Sequence, residues 1–200
     1  MSTEVIENAE NNMVVGLGER IRKLRSERKM TLQELSSISQ VSVAMLSHIE
    51  RGRSTPSIKV LDRIRLAFDV PFSVFFDGNS AAPLEIEANV VSRSGERPVL
   101  NFSATGFMKE LLSPVRGTQM EMMLLHVDPD GNSGEEPLSR VGEKCGMVLE
   151  GQFELTVGTN CYELKKGDAF QFDSSAPHSF RNSHKGDTKI MWIILSRDLA

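Results

Sequence analysis

The stretch from Thr31 to Arg53, TLQELSSISQVSVAMLSHIERGR, constrains this chain more than any other. Thr31 with Glu34 three residues later has the form of a capping box, in which a hydroxyl and a carboxylate satisfy each other's backbone N–H groups at a helix start. Leu32, Leu35 and Ile38 follow at helical spacing and predict a buried stripe. That helix should end near Ser39–Gln40, and Ser42 has the character of the next N-cap. In the second helix Leu46 and Ile49 supply the buried stripe, and Gly52 stands where a left-handed residue closes a helix. Two short helices joined by a tight turn, the second amphipathic and basic at its end, describe a helix-turn-helix.

The flanks are also helical. From Leu17 to Lys29, Leu17, Ile21 and Leu24 form one stripe, and Arg20, Arg22, Lys23, Arg28 and Lys29 occupy the other faces as a solvated charge run. Beyond Arg53, Ser57 is placed to start a fourth helix through Ile58, Leu61, Ile64 and Leu66–Ala67. Pro71 should open a short fifth helix ending at Phe76, with Phe72, Phe75 and Phe76 as core. Residues 17–77 carry 11 Lys and Arg against 7 Asp and Glu, a net of +4. Residues 1–16 and 78–200 carry nets of −3 and −5, so the overall −4 conceals one basic module suited to DNA. The tail 1–16 has no periodicity and is expected to be disordered.

ERIRKLRSERKMTLQELSSISQVSVAMLSHIERGRSTPSIKVLDRIRLAFDVPFSVFF resembles the lambda-repressor-like, or Xre-type, DNA-binding domain across its whole length. IRKLR, TLQELS, the VS turn, LSHIERG and TPSIKVLDRIRLAF carry the likeness, in order and at the right spacing. The resemblance implies an all-α domain over residues 17–77 that binds double-stranded DNA. It further implies that Arg25 pairs with Glu50 and ties the first helix to the reading helix. With Leu46 and Ile49 facing the core, Val43, Ala44, Ser47 and His48 are left on the opposite surface, which the family sets against base edges. Val43 and Ala44 can only press on thymine methyls, so Ser47, His48 and DNA shape must carry more of the specificity. Thr31, Gln33 and Ser42 complete the expected contact set, and Arg51, Arg53 and Ser57 suit phosphates.

Asp77–Gly78–Asn79–Ser80–Ala81–Ala82–Pro83 is a run of turn formers, and the linker is placed at 78–84. Past it, helical spacing gives way to short alternating runs. Met120–Val127, Gly146–Leu149, Gln152–Val157, Ala169–Phe172 and Lys189–Leu195 are predicted strands of a sandwich or barrel over residues 85–200. No run of about 18 apolar residues exists, the acidic N-terminus lacks signal-peptide character, and Cys145 with Cys161 is too few for a disulfide scaffold. A cytoplasmic location without membrane association is the expectation.

RVGEKCGMVLEGQFELTVGTNCYELKKGDAFQFDSSAPHSFRN resembles the paired motifs of the cupin superfamily, VLEG closing the first and GDAFQFDSSAPHSFRN forming the second. The resemblance implies an all-β jelly-roll barrel. An Xre-type domain joined to a cupin is similar to a family of bacterial transcription regulators, the putrescine-utilisation repressors among them. Metal-binding cupins carry two His, a Glu and a third His where this chain has Leu138, Arg140, Lys144 and His178. Zinc and transition metals need neutral imidazoles, thiolates or carboxylates converging on one point, so no metal and no cofactor is expected. Glu143, beside the expected Glu, should point the other way by strand alternation.

Two placements fit Arg140 and Lys144. Pointing inward, they need an acid from a neighbouring strand or an anionic ligand, because buried unpaired charge is costly. On the rim, they pair in water with Glu135, Glu136 or Glu143. The inward placement makes Arg140, Lys144, Met147 and His178 an effector site, with Met120, Met122 and Met123 as adaptable lining. The charges favour a carboxylate-bearing metabolite such as an amino acid, whereas the family likeness pulls towards a polyamine. The chain is thus expected to be an effector-responsive regulator, a homodimer on DNA, and not an enzyme. A cupin metalloenzyme fused to a DNA-binding domain is the alternative, and the metal positions discriminate against it.

Overall fold

Both ends of the helix-turn-helix are closed by caps. In the computed structural model, helix α1 runs over residues 16–27, α2 over Leu32–Ser39, α3 over Val43–Glu50 and α4 over Ile58–Phe68. At the start of α2 the Thr31 N–H and hydroxyl both donate to Glu34 Oε2, at 2.7 and 2.8 Å, and the Glu34 N–H donates back to Thr31 Oγ1 at 3.2 Å. Ser42 Oγ accepts from the Met45 N–H and Ser57 Oγ from the Val60 N–H. Gly52, at φ 64°, lets the chain leave α3 in the left-handed conformation that a Cβ penalises. Its N–H then reaches the Ile49 carbonyl and the Arg53 N–H the His48 carbonyl, both at 2.9 Å, which satisfies two orphan acceptors of the helix end.

The described residues are 16–76, 90–95, 97–114 and 119–196, and the chain divides into two compact units, 1–77 and 78–200. The expected linker at 78–84, and the expected disordered tail but for Gly16, lie outside the described residues.

In the first unit Ile21, Leu35, Leu46, Ile49, Leu61, Ile64 and Phe68 are buried. Phe72, Phe75 and Phe76 join that core, though the expected fifth helix is a single 3-10 turn, Phe72–Phe75. A Cβ at Gly18 would collide with the Ile49 carbonyl, so the missing side chain is what lets α1 press on the end of α3. One member of the expected stripe is misplaced: Ile38 is 58% exposed. From Leu35 the core-facing step along α2 is four residues rather than three, and it selects Ser39, only 3% exposed. Ser39 Oγ donates to the Leu35 carbonyl at 2.6 Å and accepts from the Val41 N–H, so its burial costs no unmet hydrogen bond. Val41 supplies the apolar contact that Ile38 does not.

The second unit is β-sheet-rich. A six-stranded antiparallel sheet has the order β1 (Val99–Phe102), β2 (Phe107–Leu111), β3 (Met120–Val127), β9 (Thr188–Ser196), β4 (Gly142–Glu150), β7 (Ala169–Asp173). A three-stranded sheet has the order β6 (Asn160–Lys165), β5 (Gln152–Val157), β8 (His178–Arg181). Aromatic contacts across the gap show that the two sheets face each other. Phe153 on β5 meets Phe170 on β7, and Phe180 on β8 meets both Trp192 on β9 and Phe107 on β2, with centroids 5.3–6.0 Å apart. Strand alternation then fixes the inward set: Ile190, Trp192 and Ile194 on β9, and Lys144 and Val148 on β4.

Strands β1, β2, β6 and β8 go beyond the five expected from the sequence, and β4 begins at Gly142 rather than Gly146. Each was obscured for a local reason. β6 is an edge strand, five of its six residues are exposed, and no apolar alternation marks it. On β2 an inward position is held by Lys109, buried at 6% exposure, which breaks the apolar pattern. β1 and β8 have only four residues each.

Candidate DNA-reading face and ligand site

The candidate reading face follows from the burial of α3. Leu46 and Ile49 are essentially inaccessible, so Val43, Ala44 and His48 are exposed and Ser47 is half-buried. Thr31, Gln33, Ser42, Arg51, Arg53 and Ser57 are exposed as well. Thr31, Ser42 and Ser57 each hold an N-cap, which leaves three helix starts with partly unsatisfied N–H groups at the surface. The two hydrogen bonds at Thr31, backbone first, hold the Glu34 carboxyl below the usual carboxylate range.

Behind that face, Arg25 fixes where α3 lies. Its Nε and NH2 donate to the two oxygens of Glu50 at 2.7 and 2.8 Å, and NH1 donates to the Met30 carbonyl at 2.8 Å. The pair is mostly buried, and the hydrogen bonds to Glu50 raise the Arg25 pKa further. This is the pairing the family likeness implied. A guanidinium fork that spends three nitrogens on protein acceptors is a structural clamp.

In the β unit the expected site separates into residues that converge and residues that do not. Lys144 on β4, 6% exposed, and His178 on β8, 2% exposed, meet between the sheets with Nζ 2.6 Å from Nε2. His178 Nδ1 lies 2.8 Å from the Ala176 carbonyl, which can only accept, so Nδ1 carries the ring proton. Nε2 is then the acceptor and Lys144 the donor. Phe172 stands edge-on to His178 at 5.0 Å, and the Trp192 ring centre is 6.0 Å from Lys144 Nζ. Leu138 exchanges backbone hydrogen bonds with His178.

Arg140 does not sit on the rim. Its side chain is 7% exposed, with NH1 3.8 Å from Glu121 Oε2 and NH2 donating to Ser196 Oγ. Glu121, 1% exposed, is the residue that the sequence reading missed. The signal was available: in MEMMLLHV, Glu121 shares the parity of Met123, Leu125 and Val127, the inward residues of β3. It also flanks Ile194 in the same row as Lys144, across β9. Of the acids expected as rim partners, Glu143 points outward as alternation requires and accepts from Gln171.

Met147 corrects the expectation. It lies three residues from Lys144, on the opposite face of β4, and is 39% exposed. Met120 and Met122 also point away from the gap, and only Met123 of the expected lining is inward.

The cupin fold commonly holds a metal, and the residues here do not fit one. An aliphatic side chain, a guanidinium, an ammonium and one imidazole offer a single good donor. Among the described residues no three His, Cys, Asp or Glu are placed so that they could hold a metal ion.

A helix-turn-helix family model matches residues 21–75 and a cupin domain model matches residues 123–194. The chain joins an N-terminal Xre/Cro-type helix-turn-helix DNA-binding domain to a C-terminal cupin domain. It is 24% identical over 174 residues to the HTH-type transcriptional regulator PuuR of Escherichia coli, covering 87% of this chain and 91% of PuuR. It is 26% identical over 183 residues to the HTH-type transcriptional regulator SutR of the same organism, covering 86% and 89%. The crystal structure of an HTH_3 family transcriptional regulator from Vibrio cholerae shares the fold, with a TM-score of 0.72 and 24% identity over 93% of this chain and 98% of that one. This regulator is related to PuuR-like proteins: a DNA-binding transcriptional regulator with a ligand-sensing cupin domain. No helix among its described residues is long and apolar enough to cross a membrane.

Proposed function

We propose that this regulator binds a two-fold symmetric operator as a cytoplasmic homodimer, and that a carboxylate-bearing metabolite held in its cupin tunes that binding. Domains are assigned as 17–77 for DNA and 85–200, a jelly-roll barrel, for the effector, with a linker at 78–84. Val43, Ala44, Ser47 and His48 lie against base edges with Thr31, Gln33 and Ser42, while Arg51, Arg53 and Ser57 hold phosphates. One reading helix spans few base pairs, so two half-sites about one helical turn apart are needed for useful affinity.

The observation that carries the effector assignment is the buried Lys144–His178 pair, 2.6 Å apart, with the Arg140–Glu121 pair also buried and Glu121 in the same inward row as Lys144 across Ile194. Lys144 and Arg140 offer a carboxylate two donors, and His178 sets the direction of the Lys144 proton. Glu121 offers a partner to a ligand ammonium, and this combination of one acid with two cations favours an α-amino acid. Phe172, Trp192 and Met123 supply an apolar wall. A polyamine would meet two cations and one acid, a poorer electrostatic match.

Thermal denaturation against a panel of amino acids, their deaminated acids, their amines and polyamines tests this. A ligand that binds only the native state must raise the melting temperature, by an amount that grows with its concentration. Stabilisation by an amino acid, abolished in Lys144→Met, is the expected result. Tight binding of a polyamine with indifference to carboxylates would sink the charge argument.

A further inference from the structure

The outer face of the six-stranded sheet is apolar where an antiparallel sheet open to water should be polar. Such a sheet normally alternates, burying one set of side chains and solvating the other. Here the outward residues of β3, β9 and β4 are largely apolar as well. Met122, Ile193 and Cys145 stand in one outward row, and Leu124, Met191 and Met147 in the next. A third row begins with Met120 and Leu195, which are 50% and 39% exposed, before the strands turn polar at Glu143.

We infer that this face is where a second copy of the chain docks, sheet against sheet; the inference rests on the homodimer proposed above and names its surface. Three properties of the face fit a self-association interface. Its apolar rows occupy the middle, and the polar residues lie around them: Glu110 on β2 with His126 on β3 and with Arg97 just before β1, Gln171 with Glu143 on β7 and β4, and Lys189 with Glu150 at one end. An apolar core inside a polar rim that already satisfies its own charges is the usual anatomy of an interface.

The size is also right. The six strands hold 40 residues, each covering about 4.8 by 3.4 Å of the face. That is about 650 Å² in projection, near the roughly 800 Å² that each partner contributes to a stable interface. The methionines are a further reason, since unbranched thioethers repack against an identical surface more readily than β-branched side chains.

The chain carries its own probe. Cys145 is half-buried inside the apolar rows, and Cys161 is exposed on edge strand β6, away from them. Sedimentation velocity should be run on the full chain and on Ile193→Glu, with circular dichroism and Trp192 fluorescence confirming that both are folded. In parallel, the alkylation rates of the two thiols are followed in wild type across a dilution series. The expected result is a wild-type dimer that Ile193→Glu weakens on the order of 100-fold, because a carboxylate would be buried unpaired at the centre of the contact. Cys145 should be shielded at high concentration and become reactive on dilution, while Cys161 reacts at one rate throughout. A wild-type dimer whose Cys145 rate ignores concentration, and whose folded Ile193→Glu variant stays dimeric, would overturn this face and leave the homodimer intact. A wild type that is monomeric at every concentration would overturn both.

Discussion

Arg25 and Glu50 grip each other through two parallel hydrogen bonds of 2.7 and 2.8 Å, across 25 residues of sequence, from α1 to the last residue of the reading helix. Removing one partner leaves the other charge buried without its match, which typically costs about 3 kcal/mol or more. Arg25→Ala should therefore destabilise the helical unit by about that much. Two spectroscopic signals separate the units: helical circular dichroism reports α1–α4, and Trp192, the single tryptophan, reports the β unit. In urea the helical transition should move and the Trp192 transition should not.

The Thr31 cap is worth less. Thr31→Ala should cost about 1 kcal/mol in the same helical transition. Its partner gives the pH signature. The Glu34 carboxyl has a lowered pKa in the folded state, so its contribution is present above the ordinary carboxylate range and is lost as pH falls through the folded value. The stability gap between wild type and Glu34→Gln should be constant near neutrality and close on acidification.

On DNA, Arg53→Ala should weaken every sequence similarly and flatten the slope of log affinity against log salt by about 0.9, the release expected from one phosphate contact. His48→Ala should instead reorder operator variants, each base contact being worth about 1–3 kcal/mol of discrimination. Anisotropy titrations over a salt series distinguish the two. An unchanged operator ranking in His48→Ala would remove His48 from the reading face.

Trp192 should report the effector directly. Lys144 Nζ lies 6.0 Å from its ring centre, and a carboxylate drawn to that ammonium changes the field on the indole. Amino-acid titration should shift the emission of wild type and leave Lys144→Met silent. In that variant His178 keeps its Nδ1 hydrogen bond to Ala176, so the fold should persist.

The helical unit was legible because its signals are local. A capping box, an N-cap and a left-handed glycine act within four residues, and Thr31, Ser42 and Gly52 do what their spacing implied. Ile38 was misread because a spacing of three or four residues satisfies the same helix, and only the neighbouring helices choose between them. In the β unit, long strands with regular patterns such as Met120–Val127 were plain, whereas edge strand β6 offered no contrast between its two sides.

The amino-acid sequence by itself determined the two modules, the caps, the exposed face of α3 and the presence of Leu138, Arg140 and Lys144 where metal-binding cupins carry ligands. Only tertiary structure decided that Arg140 turns inward to Glu121, that Lys144 meets His178, and that Met147 faces away from both. The reason is physical. Caps and helical faces depend on contacts a few residues apart, which sequence spacing encodes. The partners at the candidate ligand site are 19, 34 and 56 residues apart, and strand pairing together with the packing of one sheet on the other brings them together.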